Sequence, residues 1–146
     1  MATGVKPPAW FWIVAVLLVA WEAMGCYSCY QQFTIGPAAW GPVDDWARRY
    51  YDALPVWYNY AFAVATFGGL LGAVALLLRE KRATILFWIS EIAVIVVFGY
   101  AFGMTDMIAH KGAAMTVPFP VVIAVIGAFA IWFSGMAAKK GWIGAR

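Results

Sequence analysis

Two glutamates that could carry proton or cation chemistry lie inside long apolar stretches, Glu22 in the first stretch and Glu91 in the third. If these stretches are helices, a rise of about 1.5 Å per residue puts the carboxyl groups about 18 Å and about 12 Å from the same end of the molecule. We therefore expect them at similar depth. Because the apolar stretches contain no lysine, arginine or histidine, one or both carboxyls should be protonated.

A proton or cation site is one interpretation of this pair, since ionisable residues inside a membrane are rare and mark functional sites by default. The structural alternative is a neutral acid that hydrogen-bonds Ser90, Thr66 or a backbone carbonyl and holds helices together. The structural interpretation is favoured, because one glutamate pair without further polar lining makes a poor pathway.

Cys26 and Cys29 have the spacing of a thiol redox motif, and they follow Glu22 by four and seven residues. A reactive thiolate needs a positive environment, whereas the carboxyl end of a helix is negative. The chain has 2 cysteines, so no second pair could relay electrons. Both are interpreted as small packing residues, with thiol redox chemistry as an alternative.

Other catalytic patterns are missing from the sequence. It contains no phosphate-binding glycine loop and no serine, histidine and aspartate arrangement. The single histidine, His110, has no set of metal-ligating neighbours. We therefore expect no enzyme activity, no cofactor and no metal.

The composition of the chain predicts the helices that carry these residues. Of 146 residues, 65% are hydrophobic and 12% are charged, with a mean hydropathy of +0.80. A bilayer core about 30 Å thick needs roughly 20 apolar residues per helix, and four such runs occupy residues 10–30, 55–78, 83–102 and 117–138. None alternates in polarity as a membrane β-barrel strand would. The prediction is an all-α membrane protein, one transmembrane domain over residues 1–146, with four helices in an antiparallel bundle.

Basic residues near the helix ends predict the orientation, because they collect on the cytoplasmic side. One side would hold seven of them: Lys6, Arg79, Lys81, Arg82, Lys139, Lys140 and Arg146. The other would hold Arg48, Arg49 and Lys111. Both termini are therefore expected in the cytoplasm. The positive charge is a topology signal and gives no support for a nucleic-acid partner.

The first outer loop predicts a short interfacial helix over residues 42–54, because acidic residues begin it and basic residues follow four positions later. Trp46 and Tyr50 share one face, and Trp40 and Trp57 flank the segment. Tryptophan and tyrosine collect at membrane surfaces, so anchoring is the favoured role. A docking surface for a partner, or a lid over the bundle, is the alternative.

Glycines at a spacing of four predict close helix contacts. Gly68 and Gly72, beside Gly69, form one ridge on the second long helix, and Gly99 and Gly103 repeat the spacing on the third. The sequence leaves open whether the facing helix belongs to this chain or to another.

Several stretches in the first half of the chain resemble a family of small bacterial four-helix inner-membrane proteins that are often labelled "sugar transporter". They are residues 21–26 (Trp-Glu-Ala-Met-Gly-Cys) leading to 30–32 (Tyr-Gln-Gln), 51–57 (Tyr-Asp-Ala-Leu-Pro-Val-Trp), 67–72 (Phe-Gly-Gly-Leu-Leu-Gly) and 76–79 (Leu-Leu-Leu-Arg). The resemblance implies a bacterial inner membrane and no established activity. It also implies Asn at the position of Glu22, so an ionised carboxylate there would not be essential.

The leading functional hypothesis is a non-enzymatic membrane protein that works through helix contacts, as an accessory subunit of a larger complex or as a homo-oligomer. Its basis is an aromatic outer surface and glycine ridges without a polar interior. Its partners would be the lipid bilayer and other membrane subunits or further copies. The alternatives are a small oligomeric transporter of a solute or protons that uses Glu22 and Glu91, and a thiol redox protein that uses Cys26 and Cys29.

Overall fold

The structure, a computed structural model, describes residues 6–36, 38, 43–104, 109, 112 and 117–144. These residues form five helices: α1 (Ala9–Ile35), α2 (Asp45–Ala53), α3 (Val56–Leu77), α4 (Arg82–Gly103) and α5 (Pro118–Lys139). By length and composition, α1, α3, α4 and α5 can each cross a membrane. The chain is therefore a multi-pass membrane protein. Trp40, His110 and Lys111 lie outside the described residues.

The helix bounds agree with the apolar runs except at the end of α1. The sequence predicts that this helix ends near residue 30, but it continues to Ile35. Its last turns are polar and remain helical because the Gln32 amide donates to Asn59 Oδ1 of α3 at 2.7 Å. The helix ends at Gly36, whose φ of 63° is readily adopted only without a side chain.

Small residues let α3 and α4 pack against each other. A Cβ at Gly72 would lie 2.9 Å from the Phe87 ring, and one at Gly68 would lie 3.7 Å from Ser90 Cβ. α1 also packs on α3, and α5 packs on α4. The pair α3 and α4 is thus the centre of the bundle, with α1 against α3 and α5 against α4.

Aromatic residues close one end of the bundle, here called the Arg79 end. Phe11 of α1 stacks on Phe133 of α5 with 5.7 Å between ring centroids, and Trp142 packs edge-on against Phe11. Arg79 Nε donates to the carbonyl oxygen of Trp142 at 2.6 Å, and the Gly144 amide donates to the Arg79 carbonyl at 2.8 Å. The segment after α5 is thereby tied to the α3–α4 turn.

The opposite end, here called the Tyr58 end, carries α2. Asp44 caps this short helix, accepting from the Ala47 amide at 2.7 Å. Trp46 stacks on Tyr50 at 4.9 Å, and both side chains are buried. Tyr58 contacts the Tyr100 ring of α4, with 5.8 Å between centroids. Helix α2 therefore packs its aromatic face onto the bundle.

Candidate functional site

Glu91 lies on α4 where that helix meets α5. Its side chain is 9% exposed, and its carboxyl packs against Gly127, where a Cβ would lie 2.9 Å from Cδ. Its Oε1 is buried and has no hydrogen-bond partner in the described part of the chain. The neighbouring Ser90 hydroxyl donates to the Ala65 carbonyl of α3 at 2.5 Å, so it is engaged elsewhere.

Glu22 lies on α1 and makes the equivalent contact with α3. Its carboxyl packs against Gly69, where a Cβ would overlap the carboxyl oxygens. The carboxyl groups of Glu22 and Glu91 are close enough for their charges to interact. The structure therefore brings together the two acids that the sequence singled out, each in a gap left by a glycine of a neighbouring helix.

Polar residues continue from Glu22 along the α1–α3 contact. Cys26 and Cys29 of α1 lie beside Thr66 of α3. The Thr66 hydroxyl donates to the Phe62 carbonyl of its own helix at 3.1 Å. Both cysteines are free and buried. We call the residues Glu22, Cys26, Cys29, Gln32, Asn59 and Thr66 the polar seam.

A second polar contact lies between α4 and α5, toward the Arg79 end. Thr84 Oγ1 donates to Ser134 Oγ at 2.9 Å, and the fully buried Ser134 donates to the Ile131 carbonyl at 3.1 Å. The helix-contact hypothesis assumed that the interior lacks polar groups, and the polar seam and this contact overturn that assumption.

Sequence reasoning missed the partners Gln32, Asn59, Thr84 and Ser134. A signal for part of this set was present: residues 22, 26, 29 and 32 are polar or small and recur at three or four positions, which is one face of a helix.

The two glycine ridges differ in what they face. Gly68, Gly69 and Gly72 of α3 contact α4 or α1. At Gly99 and Gly103 of α4, no described residue lies within 4 Å of the Cβ position. The contact that the sequence predicts there is thus not made within the part of the chain that the structure describes.

The predicted aromatic surface is also only partly exposed. Trp46 and Tyr50 are each 7% exposed and point into the bundle, whereas Trp57 is 45% exposed. Only a small part of either buried side chain is therefore open to a partner. Trp40, the fourth residue of that prediction, lies outside the described residues.

Chemically, two carboxyl groups whose charges interact in a medium of low dielectric constant do not both ionise easily, so one of them can keep its proton. Among the described residues, no three histidine, cysteine, aspartate or glutamate side chains are grouped to hold a metal. No family model, curated protein or solved structure matches the chain.

Proposed function

We propose that the chain is a non-enzymatic transporter of protons, or of a solute with protons, that assembles from two or more copies and uses Glu91 together with Glu22. One observation carries this proposal: a carboxyl oxygen of Glu91 is buried between α4 and α5 with no hydrogen-bond partner in the described residues. An unsatisfied buried polar atom costs about 1–3 kcal/mol. Reversible proton binding gives such a group a use that structural packing does not.

The surroundings of Glu91 support the same proposal. Gly127 leaves room for the carboxyl where any larger residue would fill the space. Glu22 is near enough for its carboxyl group to interact electrostatically with that of Glu91. From Glu22 the polar seam leads to Gln32 and Asn59, near the Tyr58 end, and offers hydrogen-bonding groups along the way. Multiple copies are proposed because four helices rarely enclose a solute cavity.

The proposed arrangement in the membrane rests on charge. We propose that the four spanning helices run antiparallel, with both termini and the Arg79 end in the cytoplasm, where seven of the ten basic residues would lie. Helix α2 then lies at the outer surface. A bacterial inner membrane is proposed on the resemblance of residues 21–26, 51–57, 67–72 and 76–79.

Proton flux in proteoliposomes tests the function. Glu91→Gln keeps the size of the side chain but removes the titrating group, so flux measured with an internal pH dye should fall at least tenfold. Glu80→Gln is the matched control, because Glu80 lies in the turn between α3 and α4 and should leave flux unchanged. Unchanged flux in Glu91→Gln, in a variant with the wild-type unfolding temperature, would refute the proposal.

The helix-contact hypothesis is the second candidate function, as an accessory subunit or a homo-oligomer. Gly99 and Gly103 are exposed on α4, and the apolar face that they continue is concave. A groove of about 360 Å³ lies there, lined by Ala61, Val64, Ile89, Ile92, Ala93 and Val96. Small residues let helix backbones approach closely in lipid. The occupant that we propose is a second copy of the chain, as the transporter also requires.

The mass of the complex in mild detergent tests the second candidate. Gly99→Leu places a large side chain on the glycine ridge, which prevents close approach of a second helix and should convert oligomer to monomer. Gly135→Leu, on α5 at a position where no described residue lies within 4 Å of a Cβ, should not. An unchanged mass for Gly99→Leu, or monomer alone in the wild type, would count against self-association through this face.

A further inference from the structure

A cavity at the Tyr58 end lies outside the carboxyl pair and the polar seam. It has a volume of about 290 Å³ and opens between α2 and the end of α4. Its lining combines rings, apolar side chains and one cation: Trp46, Arg49, Tyr50, Ala53, Leu54, Tyr100 and Met104. The volume is at the lower end of ligand pockets, which span about 300–1,000 Å³. It suits a headgroup rather than a whole lipid or cofactor.

Among the described residues, no carboxylate forms an ion pair with the cation that lines this cavity. Arg49 lines it and makes no ion pair or hydrogen bond in the part of the chain that the structure describes. The adjacent Arg48 differs, since its guanidinium lies 3.7 Å from the Asp45 carboxylate. Two neighbouring arginines of one helix therefore have different surroundings, and the one without a carboxylate partner faces the cavity.

We infer that this cavity binds the phosphate group of an anionic phospholipid. The planar guanidinium of Arg49 can donate two parallel hydrogen bonds to a phosphate. Trp46, Tyr50 and Tyr100 line the cavity beside Arg49 and would contact the glycerol and the first methylenes. Met104 directly follows α4, where the apolar span ends, which places the cavity at the depth of lipid phosphates. The inference depends on the membrane location and not on the transport proposal.

Lipid retention by the whole protein tests the inference. Protein purified in mild detergent is titrated with phosphatidylglycerol or with phosphatidylcholine, and bound lipid is counted by native mass spectrometry. Both lipids carry the phosphate, but the choline of phosphatidylcholine brings a positive charge close to Arg49, so wild-type protein should bind phosphatidylglycerol more tightly. Arg49→Gln should weaken that binding about tenfold, the effect of losing about one charge-assisted hydrogen bond. Arg48→Gln is the matched control and should bind as the wild type does.

The outcomes separate this inference from its competitors. Equal binding of both lipids by the wild type would overturn it. Equal weakening by Arg48→Gln and Arg49→Gln would also overturn it, because general surface charge would then be responsible. Displacement of phosphatidylglycerol by millimolar glycerol phosphate would assign the cavity to a free organic phosphate and overturn the lipid assignment. An unfolding temperature for Arg49→Gln equal to that of the wild type shows that lost binding is not lost folding.

Discussion

At the scale of single residues, two contacts between a glycine and a carboxyl group define the candidate site. Each glutamate lies in a gap that only a glycine leaves, Glu22 at Gly69 and Glu91 at Gly127. Hydropathy alone would allow alanine at either glycine. The requirement for glycine comes from the shape of the contact, and it can be tested without any assumption about transport.

Replacing Gly127 with alanine should displace the Glu91 carboxyl, because the new Cβ would lie 2.9 Å from Cδ. The expected result is a lower unfolding temperature than that of Gly135→Ala on the same helix. No residue in the described ranges lies within 4 Å of a Cβ at Gly135, so alanine there should gain up to about 1 kcal/mol of helix propensity. Thermal unfolding in detergent measures both. Equal shifts for the two variants would contradict the tight contact between Glu91 and Gly127.

Ser90→Ala should destabilise the bundle, because it removes the hydrogen bond that joins α4 to the Ala65 carbonyl of α3. Hydrogen bonds between membrane helices contribute about 0.6 kcal/mol on average and up to about 1.7 kcal/mol. Ser28→Ala is the control, since Ser28 donates only to the Met24 carbonyl of its own helix. Unfolding in denaturant should show a loss of about 1 kcal/mol for Ser90→Ala and less for Ser28→Ala. The reverse order would show that the Ser90 bond is not structural.

At the scale of elements, α2 depends on its cap more than the spanning helices do. It has 9 residues, and helices shorter than about 12 residues are marginal on their own in water. The Asp44 carboxylate accepts from the Ala47 amide, and the aromatic face packs on the bundle. The Asp44 cap and the packing of the aromatic face together stabilise α2.

Asp44→Ala should therefore loosen α2 without unfolding the bundle. A lost cap costs about 1 kcal/mol, so amide hydrogen exchange within α2 should quicken about fivefold. Asp52→Ala, an exposed acid near the other end of the same helix, should not quicken it. If both variants exchange alike, the cap does not stabilise this helix.

The spanning helices were predictable from sequence because a bilayer sets their length, so four apolar runs of about 20 residues could have no other fold. Which face of each helix meets which neighbour was less predictable. Lipid and protein interiors are both apolar, so hydropathy does not fix the rotation of a helix about its axis. The Gln32 and Asn59 pair, 27 residues apart in sequence, could not be inferred for this reason. The pairing of Glu22 with Glu91 was inferred only from depth.

At the scale of the whole molecule, the Arg79 end closes the fold. Arg79 and Trp142 are 63 residues apart and joined by a hydrogen bond, and the rings of Phe11 and Phe133 bring the first and last spanning helices together. Neither contact has a local sequence signal, because each depends on how the helices are arranged in space. The positive charge of this end, by contrast, can be read directly from the basic residues in the sequence. The proposed orientation rests on the same residues.

Labelling of single cysteines would test that orientation. In a background with Cys26→Ala and Cys29→Ala, Arg48→Cys should react with a membrane-impermeant maleimide in intact cells, because the Tyr58 end is proposed to lie outside. Lys81→Cys should react only after the membrane is permeabilised, because basic residues are retained on the cytoplasmic side. Both wild-type side chains are exposed, so burial cannot explain a difference in labelling. The opposite pattern would place the Arg79 end outside and reverse the direction of any proton movement through Glu91.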